Sequence, residues 1–438
     1  MKTFEHFTEY HKDLLAIAAM RGQSVYENEL NKLSNLPVFR NKDLKTNVTI
    51  TNLFRYFWDD FYAIHKDNLR ESIVKNVEAL IGCRDFANGY TFFECPKCDN
   101  YHIKGFSCNS RFCSSCGKKY RDMRALNIQS KLLNVSHRHF VFSVPFDLRP
   151  FFWKCRNLFN TLFKSVNEAL LITLNRSKKD KKNDTRLGFI AFLHTSGRSL
   201  NPHPHLHVLL AEKKINRNGK GKKHFFFPFK RLKITFMNRF LSNANEVIKK
   251  HGNKSLYKEF NIVRTKVLKQ YKDGFYVFGP KVKENNNVIL SAKATADYIS
   301  RYASHPPIAD SNLLVLNYQD KTITWTYTPH EDKDNPVVIT ESVFNFIAKL
   351  IRHIPDNKFH LLRYYGFYAN RAIKRRDNHL KLIWHKRIYD AKNNLKWRIM
   401  IKKYFNFDPL RCHCGNIMLF NYNLSYFGKH DRRFFSDG

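Results

Sequence analysis

Cys95-Pro-Lys-Cys98 and Cys113-Ser-Ser-Cys116-Gly117 are two C-x2-C pairs separated by fourteen residues, and no other feature restricts the fold of this chain as tightly. Each pair places two thiolates on one tight turn, and two such turns can close a tetrahedral zinc site with Zn–S distances of about 2.3 Å. The spacing is close to the zinc pattern in which roughly 15–20 residues separate two C-x2-C pairs. Cys108 and His102 lie between the pairs and are candidate extra or substitute ligands. Four thiolates leave no open position for water, so a zinc on Cys95, Cys98, Cys113 and Cys116 is expected to be structural. Cys83 and Cys155 stand apart and read as small core residues. Cys412-His413-Cys414-Gly415 with His430 is a candidate for a second site, the less favoured because no second C-x2-C pair follows.

The charge balance points to the partner. Lys and Arg number 76 against 37 Asp and Glu, a formal net charge of +39 spread along the chain. Such an excess favours a polyanion and salt-sensitive binding. Part of the lysine accompanies a composition rich in Asn, Ile, Phe and Tyr, as base composition would impose. Nucleic acid is the expected partner, and an anionic membrane surface is the rival. Hydrophobic residues at 43% and aromatics at 15% exclude a disordered chain. No apolar run approaches the roughly 18–20 residues that span a bilayer. Met1 to Met20 carries Glu5, Glu9, His11, Lys12 and Asp13, the pattern of an amphipathic helix and not of a signal peptide. The expected location is the cytoplasm, in association with the nucleoid, where thiols stay reduced and clustered cysteines suggest metal.

Periodicity divides the chain into an α+β arrangement. Residues 1–90 read as helical, with Leu14, Leu15, Ile17 and Ala18, then Phe54, Phe57, Phe61 and Ile64, at helical spacing. Residues 91–133 are the zinc-binding region with a basic helix over Lys118–Leu133, 134–335 a strand-rich core, and 336–438 a helical region and tail. Within the core, Phe140–Val144, Leu187–His194 and His205–Ala211 read as strands and Phe151–Leu174 as a helix. Lysine-rich loops follow at Arg176–Arg186 and Lys213–His224, and the chain is helical again near 230–250. Further strands are expected at Val288–Leu290, Leu313–Tyr318 and Thr322–Thr328, the last two a hairpin about Gln319-Asp320-Lys321. A short helix is expected at Ala292–Ala303, and another with Thr340 as N-cap and Phe344, Ile347, Leu350, Ile351 and Ile354 on one face.

Asn201-Pro-His203-Pro-His205-Leu-His207-Val-Leu-Leu is the most informative segment. On a strand, residues two apart share a face, so His205 and His207 project together while Leu206 turns to the packed side. Two imidazoles on rigid backbone make half of a divalent-metal site. With 20 histidines in the chain, roughly one His-x-His pair is expected by composition, as His137-Arg-His139 illustrates. The setting therefore carries the reading: a prolyl turn, the histidines, then an apolar run opposite a strand ending at His194. His203, His194 and Asp297 are candidates for a third ligand, His203 the least favoured because Pro204 is expected to bend the chain before the strand. Downstream, Tyr298-Ile-Ser-Arg301-Tyr302 lies on an expected helix, where residues four apart share a face. A phenol with a pKa of about 10 is a poor nucleophile, but a divalent metal beside the scissile phosphate eases phenolate attack. Arg301 is a candidate phosphate contact, as are Arg111 in the zinc module and Lys118 and Lys119 at the start of the basic helix.

The order of a cysteine module, a His-hydrophobic-His strand and a Tyr-x3-Tyr helix resembles the two-tyrosine rolling-circle transposases of the IS91 type. Ser107-Cys108-x2-Arg111-x-Cys113-x2-Cys116-Gly is similar to that family's zinc-binding domain. His139-Phe-Val-Phe-Ser-Val-Pro145 resembles its opening strand, Asn201 to His207 its metal strand, and Tyr298 to Ile308 its nucleophile helix and following loop. His353-Ile-Pro-Asp356, Arg363-Tyr-Tyr-Gly366 and Asp408-Pro-Leu-x-Cys412-x-Cys414-Gly415 resemble its later signatures, so the resemblance runs from about residue 90 to 420. It implies an HUH nuclease core: an antiparallel sheet bearing His205 and His207, with the helix of Tyr298 and Tyr302 across its face. It also implies insertion-sequence transposition in which a tyrosine attacks single-stranded DNA at the element ends. Mg²⁺ or Mn²⁺ at the histidines assists, and a 5′-phosphotyrosine and a free 3′-hydroxyl result. The family tail usually reads Cys-x2-Cys, whereas this chain has Cys412-x-Cys414, a departure that weighs against metal binding there.

Two alternatives stand beside this reading. A replication initiator or relaxase uses the same chemistry and often carries a helicase, but no G-x4-G-K-[ST] phosphate loop occurs here, so a host helicase would have to open the duplex. A non-catalytic zinc-ribbon protein would grip single strands by charge and stacking, and would need neither the histidine pair nor the tyrosines.

Overall fold

The computed structural model describes residues 48–98, 100–108, 110, 112–113, 116–117, 128, 132, 137–174, 186–215, 221–223, 227–279, 307–329, 332, 334–369, 398–399, 402, 408 and 410–427. Among them the chain is α+β, with seven α-helices and antiparallel sheets.

Two helices open the described chain, α1 (Ile50–His65) and α2 (Glu71–Ile81). The Thr49 hydroxyl caps α1 by accepting the Asn52 N–H at 3.1 Å. Leu53, Phe54, Phe57 and Phe61 form its buried stripe, while Ile64, expected on the same stripe, is exposed. A hairpin follows, β1 (Tyr90–Glu94) and β2 (Tyr101–Gly105). Then come β3 (His137–Ser143), α3 (Phe151–Lys154) and α4 (Leu158–Leu174). The single helix expected over 151–174 is interrupted at Cys155, whose backbone is extended.

The long strands β4 (Gly188–Ser196) and β5 (Pro202–Ala211) lead into the small ribbon β6 (Lys213–Ile215) and β7 (Gly221–Lys223). Helices α5 (Phe229–His251) and α6 (Lys254–Gln270) precede β8 (Val277–Phe278). A three-stranded meander of β9 (Leu313–Asn317), β10 (Thr322–Tyr327) and β11 (Val337–Ser342) runs into α7 (Val343–Ile351). Thr340, expected to cap that helix, belongs to β11 and shares a 2.8 Å hydrogen bond with Thr324 across the sheet; Ser342 caps α7 instead. The last strands are β12 (Leu362–Gly366) and β13 (Leu419–Tyr426). The expected elements at 288–290 and 292–303 and the helix at 118–133 lie wholly or mostly outside the described residues.

The central sheet has the order β12-β4-β5-β3-β8, antiparallel throughout. Strand alternation sorts β5 cleanly. Leu206, Val208 and Leu210 face the main core, made with Phe140, Phe142, Phe189 and the apolar faces of α4, α5 and α6. Leu209 and Ala211 face the other side with Ile190, Phe192 and Tyr368, a smaller core that leaves the neighbouring stretch of that face to polar side chains. A second large core joins α1 and α2 to β9, β10 and α7 around the fully buried Trp325. No helix of the described residues is long and apolar enough to cross a membrane.

Candidate metal centres

On the second face of the central sheet, register places three imidazoles together. His205 pairs with His194 on β4 and with Ser143 on β3, while His207 pairs with Phe192 and Val141. Side chains of paired residues emerge on one face. His194, His205 and His207 accordingly bring one ring nitrogen each within 4.8 Å of one another. Among the candidates for a third imidazole, it is therefore His194 that stands with the pair. His203 also lies on this face, its ring 4.7 Å from that of His205, but its Nε2 is 2.9 Å from the Ser143 hydroxyl. Pro204 does not bend the chain away, since β5 begins at Pro202. There β5 runs past the end of β3, leaving one side of the strand without a ladder, a setting that tolerates proline.

Hydrogen bonds orient the rings. His205 Nδ1 lies 2.7 Å from the His203 carbonyl oxygen, which can only accept, so the proton sits on Nδ1 and Nε2 presents a lone pair. His207 Nε2 is 3.2 Å from that nitrogen, and its Nδ1 is 2.8 Å from His139 Nε2. For His205 and His207 both to present Nε2 to one cation, His207 must carry its proton on Nδ1, and His139 is placed to accept it. Burial, aided by His205, lowers the His139 pKa to about 4. Burial, with His205 and Arg149, lowers that of His203 to about 3. His205 falls to about 4 through burial, against the opposing pull of the His203 carbonyl. His207 is held well below its ordinary value by burial and by the other four histidines. His139, His203, His205 and His207 are thus neutral at pH 7, the protonation state in which imidazole ligates a metal.

The cysteines form two separate centres. Cys83, Cys108, Cys113 and Cys116 make one, and Cys95, Cys98, Cys412 and Cys414 the other, each with its sulfurs within 4.8 Å of one another. This corrects the expectation of one site closed by both C-x2-C pairs. Cys95 and Cys98 occupy the tip of the β1–β2 hairpin, next to the pair Glu94↔Tyr101, while Cys108 follows the base pair Tyr90↔Gly105. Strands of that length separate tip from base by about 14 Å at roughly 3.4 Å per residue, too far to share an ion. Cys83, read from sequence as an isolated core residue, sits at the base instead, where Arg84 N–H donates to the Phe106 carbonyl at 2.8 Å. His102 pairs with Phe93 within the hairpin and joins neither centre.

Within the first centre the Cys83 sulfur lies 3.5 Å from Cys116 and 3.7 Å from Cys113. Disulfide sulfurs would be about 2.05 Å apart, whereas four thiolates at about 2.3 Å from one zinc lie about 3.8 Å from each other. Cys83 accepts the Cys108 backbone N–H, and Cys108 that of Ser110. The thiols also compete for protons. Cys83 is drawn down to about 7 by Cys108 and Cys113, while Cys108 is pushed up by Cys113, Cys116 and Cys83. A divalent cation would let all four ionise together.

Tyr298, Tyr302, Arg301, Asp297, Arg111, Lys118, Lys119 and His430 lie outside the described residues. Sequence reasoning did not single out His139, whose signal was its place in a second His-x-His pair.

Residues 188–376 match the family described as putative transposase, and residues 53–144 the transposase zinc-binding domain. The chain is similar to the transposase for insertion sequence element IS801 of Pseudomonas savastanoi pv. phaseolicola, with 25% identity over 381 residues covering 83% of this chain and 87% of that one. It is 26% identical over 335 residues to the putative transposase y4qJ of Sinorhizobium fredii, covering 74% of this chain and 80% of the relative. No solved structure matches it.

Proposed function

We propose that this chain, a transposase of the IS91/IS801 family, cleaves and rejoins single-stranded DNA through tyrosine nucleophiles beside a divalent cation held by His194, His205 and His207. The observation that carries this reading is the convergence of three imidazoles on adjacent strands within the segment that matches the transposase family. A Mg²⁺ or Mn²⁺ bound there would neutralise charge on the scissile phosphate. His139 would hold the Nδ1 proton of His207, and the His203 carbonyl that of His205.

Tyr298 and Tyr302 are proposed as nucleophiles on the strength of the sequence resemblance. The phenol gives up its proton and its oxygen forms a bond to phosphorus. The bond from phosphorus to the 3′ oxygen breaks, and that oxygen takes up a proton. A 5′-phosphotyrosine conserves the bond for transfer to new DNA, so no nucleotide is hydrolysed. Two tyrosines four apart in sequence would allow two successive transfers, as rolling-circle transposition requires. Arg301, Arg111, Lys118 and Lys119 are proposed phosphate contacts. Structural Zn²⁺ is proposed at Cys83, Cys108, Cys113 and Cys116, all within the matched zinc-binding domain. The duplex would be opened by a host helicase in the cytoplasm.

The test is incubation of the protein with labelled single-stranded DNA carrying the element's own end, with Mg²⁺ or Mn²⁺, followed by denaturing electrophoresis. A covalent adduct should form, persist in at least one of Tyr298→Phe and Tyr302→Phe, and vanish in the double variant and in His205→Ala/His207→Ala. Tight strand binding with no adduct in the native chain would sink the nuclease reading and favour a non-catalytic zinc-ribbon binder.

A further inference from the structure

We propose that Cys95, Cys98, Cys412 and Cys414 bind a second zinc ion that fastens the C-terminal tail to the N-terminal module. This inference is independent of the strand-cleavage reading. The two halves of the site come from positions more than 300 residues apart, Cys95 and Cys414 being separated by 319. Residues 412 and 414 fall outside both matched segments, 53–144 and 188–376.

Strand pairing assembles the site. β13 runs antiparallel to β1 with Glu94 opposite Leu419, so the residues just after β1 meet those just before β13 at one end of the sheet. There Cys98 Sγ lies 3.4 Å from Cys412 Sγ and 3.5 Å from Cys414 Sγ, and Cys95 Sγ 3.5 Å from Cys414 Sγ. Four sulfurs at such distances fit the edges of a tetrahedron of thiolates about a zinc, near 3.8 Å for Zn–S bonds of about 2.3 Å. Cys95 and Cys412 are buried with Met418 in a small apolar cluster.

Both turns are built as ligand loops. Cys95 N–H donates to the Asn100 carbonyl and Cys412 N–H to the Asn416 carbonyl, each at 2.9 Å. The Asn100 side-chain amide lies 3.5 Å from Cys412 Sγ and that of Asn416 3.2 Å from Cys414 Sγ, so each tail sulfur accepts an N–H bond of the kind that supports a metal thiolate. Gly415 takes a left-handed conformation, with φ of 86°, and its N–H donates to the Cys412 carbonyl at 3.0 Å. That tight turn lets Cys412 and Cys414, separated by one residue instead of two, aim at the same point. An all-sulfur tetrahedron suits zinc and excludes Mg²⁺ or Mn²⁺.

The experiment is titration of the full-length, reduced, metal-free protein with Co²⁺, read by thiolate-to-cobalt charge-transfer absorption. Cobalt bound only by imidazole does not contribute to that band. Saturation is expected at two equivalents for the native chain and at one for Cys412→Ser/Cys414→Ser. Cys108→Ser/Cys113→Ser should likewise keep one equivalent, held by the tail site. Saturation of the native chain at one equivalent overturns the proposal, as does a tail variant that still takes up two. If the tail variant does not fold, the native titration decides alone.

Discussion

Across β3 and β5, His139 Nε2 stands 2.8 Å from His207 Nδ1, with the two rings 5.1 Å apart and within 5° of parallel. His139 is buried enough to stay neutral and can only serve as an acceptor for one tautomer of its neighbour. We predict that His139→Ala weakens Mn²⁺ binding at the three-histidine centre by about 10–100-fold, the range found for removing a ligand's hydrogen-bond partner. His139→Gln, which keeps an acceptor, should recover much of it. Calorimetric titration with Mn²⁺ checks this, and unchanged affinity in His139→Ala would remove His139 from the site.

The histidines also make stability depend on pH. In the folded chain His139 and His205 titrate near 4 and His203 near 3, against an unfolded value of about 6.5. Between those values the unfolded chain binds more protons, so stability is complete above pH 6.5 and falls as the pH drops toward 4. Urea midpoints of metal-free protein should decline over that window. A His203→Ala/His205→Ala variant should show a shallower decline; equal slopes would contradict the burial argument.

Cys83 and Cys155 are both buried and both isolated in sequence, yet only Cys83 sits in a cysteine cluster among the described residues. Cys83→Ser should lower bound zinc by one equivalent, and Cys155→Ser should leave it unchanged. Metal analysis of the two purified variants distinguishes a ligand from a core residue.

Gly366 ends β12 with φ of 62°, and a Cβ there would lie 1.6 Å from the Leu187 carbonyl oxygen. Backbone cannot yield as a side chain tip does. Gly366→Ala is expected to cost about 2–4 kcal/mol through strain and displacement of the strand edge. A melting curve indistinguishable from the parent would show that the edge rearranges freely.

Asp356 joins three parts of the chain. Its carboxylate accepts from Arg156 at 2.7 and 2.9 Å and also from Arg70, while Arg70 donates at 2.7 Å to the Ile354 carbonyl. Asp356→Ala should destabilise by about 1.5–3 kcal/mol, the range for bonds to charged groups. The loss should shrink when Arg156→Ala is already present, which a double-mutant cycle in urea would measure.

What the sequence determined by itself was local. Alternation in residues 203–211 settled that His205 and His207 share a face and that Leu206 is packed, because strand geometry has a period of two. Spacing marked Cys95-x2-Cys98 and Cys113-x2-Cys116 as ligand turns, and turn residues marked the hairpin between 313 and 327. Tertiary structure decided the partners. Which strand lies beside β5, and in what register, selects His194 as the imidazole that joins the pair and His139 as the one behind it. The pairing of β13 with β1 likewise sends Cys95 and Cys98 to the tail and leaves Cys113 and Cys116 to Cys83 and Cys108. A ligand turn carries two sulfurs and no information about the other two. Those come from strand pairing between distant segments, which depends on buried area and register summed over the whole sheet and not on any local period.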